Sequence, residues 1–249
     1  MPWVLAQVGD HPGVIRHALA PVVPSAARGL GLPRTVLAVP DAVPWVSPGA
    51  ASGAALGAAS GVALTFDDGP HPEGTPAVLE ILDRAGVSAT FFLVGEQVQR
   101  RPALAAEIVA AGHLVALHGH RHRLQLRLSA AEIAVDLRRG AAAIVDATAV
   151  QPAWHRPPYG IYSSAGLRET AAAGLRPLLW SRWGRDWRKY TTPARIARRA
   201  TANVHGGDVI LLHDADFYSS RQSHRRTAAA LPLIIAELGR RGLGTVLPV

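Results

Sequence analysis

Gly61-Val62-Ala63-Leu64-Thr65-Phe66-Asp67-Asp68-Gly69-Pro70 is the stretch on which the reading of this chain turns, because an apolar run stops there on two adjacent carboxylates. Val62, Ala63, Leu64 and Phe66 have the character of a short buried strand, and Gly69-Pro70 is turn punctuation. Both acids therefore belong at a strand's C-terminal tip. Neighbouring carboxylates disfavour each other's ionised form, so a cation, an arginine or both should lie close by.

Outward from that strand the pattern is regular, with short apolar runs alternating with helix-like segments. Strands are expected at 61–66, 88–94, 113–117, 153–156, 176–181, 208–213 and 243–247, and helices at 75–85, 102–111, 129–147, 163–173, 192–203 and 225–241. Thr75-Pro76 and Thr192-Pro193 each pair an N-cap with a first-turn proline, and Ser129 to Glu132 is a capping box. Gly86, Gly112, Gly174 and Gly242 stand where helices should stop. Repeated strand-then-helix units imply a parallel sheet with right-handed crossovers. Seven of them imply an α/β fold of the distorted or incomplete (β/α)7 barrel kind.

Residues 1–58 differ in texture, with Pro2, Pro12, Pro21, Pro24, Pro33, Pro40, Pro44 and Pro48 and a Gly/Ala/Ser tract from Gly49. They are expected to form an extension and linker, leaving 59–249 as the main folded domain. The first basic residue other than histidine is Arg16 and the apolar stretch from Trp3 to Val8 is short, so no export signal is expected. The uncharged stretch from Ala42 to Phe66 is too rich in Pro, Gly and Ser for a membrane span.

With 249 residues, 49% of them hydrophobic and 18% charged, the chain has the composition of a folded globular protein. The absence of cysteine excludes disulfides, thiolate catalysis and cysteine-ligated zinc, which leaves His, Asp and Glu as metal ligands. Net charge is +8, and every basic residue other than histidine except Lys189 is arginine. The arginines are spread along helix-like segments without a nucleic-acid-binding motif, so no nucleic-acid partner is expected.

In a barrel of this kind the site lies at the C-terminal ends of the strands. Those ends carry Asp67 and Asp68, His118 to His122, Arg156 to Tyr159, Asp186 and Trp187, and His213 and Asp214. His118 and His122 can share an ion only if a turn follows the strand, since on an extended chain they would be about 13 Å apart. His120, two residues on, should point away into solvent. Two histidines and an aspartate make a three-ligand set with positions left for water and substrate. Zinc is the default divalent ion, and cobalt, nickel, manganese or iron suit the same set.

Taken together, these motifs resemble the NodB-type polysaccharide deacetylases, metal-dependent carbohydrate esterases, over roughly residues 61–249. The resemblance implies that Asp67 is the catalytic base and that Asp68, His118 and His122 hold the metal. Arg156-Pro157-Pro158-Tyr159 resembles the family's third motif, in which Arg156 would orient Asp67 and the Tyr159 N–H would stabilise an oxyanion. The fourth motif is half kept: Trp183 replaces its first aspartate, Asp186 would orient a histidine, and Trp187 would wall the acyl pocket. Trp180, Trp183 and Trp187 also suit stacking on sugar rings. Leu211-Leu212-His213 matches the fifth motif and makes His213 the general acid, with Asp214, Asp216 and Tyr218 at the rim.

The implied activity is removal of N-acetyl groups from an N-acetylated amino sugar polymer or oligomer, chitin-like or peptidoglycan, by hydrolysis of a non-peptide C–N bond. Small amide, imide or O-acetyl ester hydrolysis, and non-catalytic carbohydrate or cell-wall binding, are the alternatives. The family implies a cell-envelope or extracellular location, whereas the missing export signal implies the cytoplasm.

Overall fold

The computed structural model of the protein describes residues 61–248 and three short strands, β1 (Trp3–Gln7), β2 (His17–Pro21) and β3 (Val43–Pro44). The rest of the expected extension and linker lies outside the described residues. β4 (Gly61–Asp67), β5 (Thr90–Leu93), β6 (Leu114–Leu117), β7 (Trp154–His155), β8 (Tyr162–Ser163), β9 (Arg176–Pro177), β10 (Arg182–Trp183), β11 (Val209–His213) and β12 (Gly244–Leu247) follow in order. The helices are α1 (Gly74–Ala85), α2 (Gly95–Arg100), α3 (Pro102–Ala110), α4 (Ala130–Thr148), α5 (Ser164–Ala172), α6 (Pro193–Ala200) and α7 (Ser223–Arg240).

The main sheet runs β10-β11-β4-β5-β6-β7-β9, and every neighbouring pair on that path is parallel. β12 joins the start of β4 in parallel, through Gly244 opposite Gly61. No ladder joins β9 to β10 among the described residues, so the sheet is a curled, unclosed barrel with helices outside. β2 adds to β8 and β3 to β12, both antiparallel.

Strand alternation divides the buried residues into two cores. Leu64, Phe66, Phe91, Leu93, Val115, Leu117, Ile210 and Leu212 face outward, under α1, α4 and α7. Ala63, Phe92, Ala116, Trp154, Val209 and Leu211 face inward with Trp180. Because successive side chains point to opposite faces, Asp67 follows Ala63 and Thr65 into the interior. In the same way His213 follows Val209 and Leu211.

The caps follow the sequence with one exception. Ser129 and Glu132 complete a capping box on α4, Thr192 Oγ1 accepts from the Arg195 N–H, and Gly86 closes α1 in the left-handed region at φ 61°. Thr75 is not an N-cap: α1 begins one residue earlier, after Glu73. Its hydroxyl accepts from the His71 N–H at 2.7 Å and donates to Asp214, so its bonds are tertiary rather than local. α2 was not expected, because six residues with a single buried aliphatic, Val98, show no helical period.

Candidate active site

The strand register puts the two ends of the site side by side. Asp67 on β4 stands opposite His213 on β11 and opposite Phe92 on β5. Asp68 then leaves the strand at φ 81°, a left-handed conformation that aspartate tolerates better than most side chains. This bend sends the two adjacent carboxylates to different partners.

Asp67 belongs to Arg156. The fully buried guanidinium donates from Nη1 to Asp67 Oδ1 at 2.6 Å and to Thr65 Oγ1 at 2.9 Å. Its other bonds go to the carbonyls of Leu178 at 3.0 Å and Leu179 at 2.9 Å, and its plane covers the Phe92 ring at 3.9 Å. A cation so completely satisfied has one orientation, and Asp67 inherits it.

Asp68 belongs to the histidines. His118 Nε2 and His122 Nε2 each lie 3.4 Å from Asp68 Oδ1, a buried oxygen with no hydrogen-bond partner. His118 Nδ1 donates to the Arg156 carbonyl at 2.7 Å, which leaves the Nε2 lone pair facing Asp68. Burial, together with the charges of His118 and His213, lowers the His122 pKa to about 4 against the pull of Asp68. Burial alone would raise the Asp68 pKa, but the His118 contact and the nearby histidine charges bring it down to about 2. Two imidazole nitrogens and an ionised, unpartnered carboxylate oxygen, with ligand atoms all within 4.8 Å of one another, fit a divalent cation.

The histidine loop is held from two sides. Its turn comes from Gly119 at φ 80° rather than from a helix. The first N–H groups of α2, at Gly95 and Glu96, donate to the carbonyls of Gly119 and His120, each at 2.9 Å. From α4, Asp136 accepts from the N–H of His120 at 2.7 Å, of Arg121 at 3.3 Å and from Arg123 Nη2 at 3.1 Å. His120 is therefore packed at 3% exposure, not turned to solvent as its place between the other two histidines implied.

On the opposite side Asp186 holds His213. Its carboxylate accepts from the His213 N–H at 2.7 Å, contacts Nδ1 at 3.0 Å, and accepts from Thr227 Oγ1 at 2.8 Å. Burial pushes the His213 pKa down, yet Asp186, Asp68 and Asp67 together raise it to about 10. The ring is an imidazolium at neutral pH.

A cavity of about 300 Å³ connects these groups. Asp67, Asp68, His118, His122 and His213 form its polar wall, while Trp180, Trp183, Trp187 and Leu211 form an apolar one. The three indoles follow one another at 5.9 and 5.4 Å, and Trp187 meets His213 edge-on at 5.4 Å. Tyr159, 55% exposed and at φ 64°, stands at the mouth. Gly160 beside it must be glycine, since a Cβ there would lie 2.1 Å from Trp180 Cη2. Arg156 and Asp186 stand behind the wall rather than in it, both fully buried.

The family model for polysaccharide deacetylase matches residues 57–178. A peptidoglycan-N-acetylglucosamine deacetylase of Bacillus cereus is 33% identical over 183 residues, covering 73% of this chain and 83% of its own. The chain belongs to the polysaccharide deacetylase family. Within it, a chitooligosaccharide deacetylase of Bradyrhizobium is 37% identical over 188 residues, 73% of this chain and 85% of its own. The structure of a family 4 carbohydrate esterase from Streptomyces lividans, in complex with acetate, superposes with a TM-score of 0.68 at 31% identity. That match covers 75% of this chain and 91% of the other.

Some members of the site of this polysaccharide deacetylase were not visible in the sequence. Asp136 and Glu96 support it through contacts that cross 16 and 122 positions, and no local pattern announces them; Thr65 stands in the opening motif, but its bond to Arg156 crosses 91 positions. Tyr218 was placed only at the rim, whereas its ring lies on His122.

Proposed function

We propose that this polysaccharide deacetylase hydrolyses the N-acetyl group of an N-acetylated amino sugar polymer or oligomer, releasing acetate and a free amine. The observation that carries the reading is the split of the acid pair, with Asp67 on Arg156 and Asp68 on two histidines. The names of the Bacillus cereus and Bradyrhizobium relatives support the substrate class.

Asp68, His118 and His122 would hold the divalent cation, with zinc the default for such a set. When bound, the ion supplies a Lewis acid that polarises the acyl carbonyl and acidifies water. Asp67, held in one orientation by Arg156, accepts the proton of the attacking water. The Tyr159 N–H donates to the oxyanion that develops on the carbonyl oxygen. His213, protonated through Asp186, gives its proton to the leaving nitrogen as the C–N bond breaks. The Trp187 and Leu211 side chains receive the acyl methyl group, and Trp183 and Tyr159 offer surfaces to the sugar.

Incubating the purified, metal-analysed protein with acetylated chitooligosaccharides and peptidoglycan fragments tests this. Acetate and new amine should appear in equal amounts. Acetate without amine would favour O-acetyl ester hydrolysis, and neither product on any glycan would sink the enzymatic reading. Action on peptidoglycan would place the protein in the cell envelope, which fractionation checks; no helix among the described residues is long and apolar enough to cross a membrane.

A further inference from the structure

The two histidines facing Asp68 are supported differently. His118 is fixed through its second nitrogen, as metal-ligating histidines usually are. His122 is not: its Nδ1 is buried with no hydrogen-bond partner among the described residues. The His122 ring is held by aromatic contact instead. Tyr218 lies parallel to it, with centroids 4.1 Å apart and planes 8° from parallel, and Tyr159 meets it edge-on at 4.7 Å.

Tyr218 is itself tied down. Its hydroxyl donates to Glu96 Oε1 at 3.0 Å and accepts from Gln97 Nε2 at 3.1 Å, while Gln97 Oε1 accepts from Arg101 Nη1 at 2.9 Å. Glu96 and Gln97 lie on α2, the helix whose first N–H groups grip the histidine loop. The loop carrying Tyr218 is anchored two residues earlier, where Asp216 accepts from the Gln222 N–H at 2.5 Å and faces His71 Nε2 at 3.2 Å.

His71, Asp216 and His224 bring three ligand atoms within 4.8 Å and so have the outline of a second metal site. The hydrogen bonds argue against it. The N–H groups of Glu73 and Gly74 both donate to His71 Nδ1, which puts the ring proton on Nε2, toward Asp216, and leaves no lone pair there for a cation. This cluster is a clamp on the loop that delivers Tyr218.

We infer that Tyr218 is a positioning residue for His122: its ring, levelled by Glu96 and Gln97, keeps His122 Nε2 directed at Asp68 where a hydrogen bond would otherwise do so. The inference rests on the metal-site reading above. Metal-free full-length protein titrated with Co2+ against a competing chelator tests both, with the Co2+ absorption spectrum and the metal-free thermal midpoint recorded alongside. Tyr218→Leu should bind Co2+ about 10- to 100-fold more weakly, the range for losing a ligand's supporting partner, with an altered spectrum and an unchanged midpoint. Tyr218→Phe, which keeps the ring and loses the tether, should recover most of that loss.

Wild-type affinity and spectrum in Tyr218→Leu would overturn the positioning role while leaving the metal site standing. No Co2+ binding by the wild type would overturn both. Should Tyr218→Leu fail to fold, Tyr218→Met decides, because it fills the same space without presenting a ring to His122: weakened Co2+ binding supports the role and wild-type binding overturns it.

Discussion

Asp67 and Asp68 show how little separates two roles at the scale of a residue. The positive φ of Asp68 is enough to send one carboxylate to Arg156 and the next to the histidine pair. Asp67→Asn should therefore lower turnover by about 10²- to 10⁴-fold, the usual contribution of a general base, while metal analysis still finds the ion. His118→Ala should lose the ion itself; equal metal loss in both variants would refute the division. Asp186 invites a different measurement. Its carboxylate is the main reason His213 stays protonated up to about pH 10, so activity should hold through mildly alkaline pH. In Asp186→Asn only burial and the more distant acids act on the ring, and the alkaline limb of the kcat/KM profile should move down by at least one pH unit. An unmoved limb would mean that His213 is not the group seen. Asp67, Asp68, His118, His122 and His213 were legible because short motifs at strand ends carry them. The supports were not, since Thr65, Asp136 and Tyr218 act across chain distances that no spacing rule spans.

Secondary-structure elements place these residues by meeting the loops between them. The histidine loop has α2 on one side, donating N–H groups, and α4 on the other, accepting them through Asp136. α4 comes this close because Gly140 lacks a side chain: a Cβ there would lie 2.6 Å from Leu117 Cδ1 and 2.9 Å from the His120 nitrogen. Gly140→Ala should cost about 1–3 kcal/mol in urea unfolding, an overpacking cost that outweighs alanine's helix propensity. Asp136→Ala should cost a similar amount by stranding the His120 N–H, a buried donor, and should also loosen Co2+ binding. A neutral result for Gly140→Ala would show that α4 can slide. All six expected helices form, because amphipathic periods and caps reach across ten or more residues, and a strand forms within each of the seven expected spans, although 153–156 and 176–181 hold only two strand residues each and β8 and β10 fall outside every expected strand. Periodicity fails where the element is short. α2 has one and a half turns, and His120 looks exposed only if the loop is treated as a simple turn with nothing packed behind it.

For the molecule as a whole, the same burial that builds two cores traps titratable groups, and this fixes how stability depends on pH. His155 is fully buried between the sheet and α5, with Tyr162 and Thr170 hydroxyls on its Nδ1, and burial followed by the His118 charge lowers its pKa to about 3. His113, under Phe91, is lowered by burial to about 4. An unfolded histidine titrates near 6.5, so between that pH and these lower values the unfolded chain binds protons that the folded one refuses. Their contribution is fully present above about pH 6.5 and drains away as pH falls toward 3. His213 has the opposite sign: its pKa is raised, so its contribution is complete below about 6.5 and is lost as pH rises toward 10. Metal-free protein should accordingly be most stable near neutrality. Urea unfolding at pH 7, 6 and 5 should show stability falling on the acid side, and His155→Gln should make that fall shallower, by a slope that grows toward about 1.4 kcal/mol per pH unit, the value of one proton, as pH approaches 5. Glutamine keeps a group able to accept from Thr170 but cannot take the charge. Equal acid slopes in the variant and the wild type would remove His155 as the source and leave the other depressed histidines, His113 and His122 among them, to account for the loss.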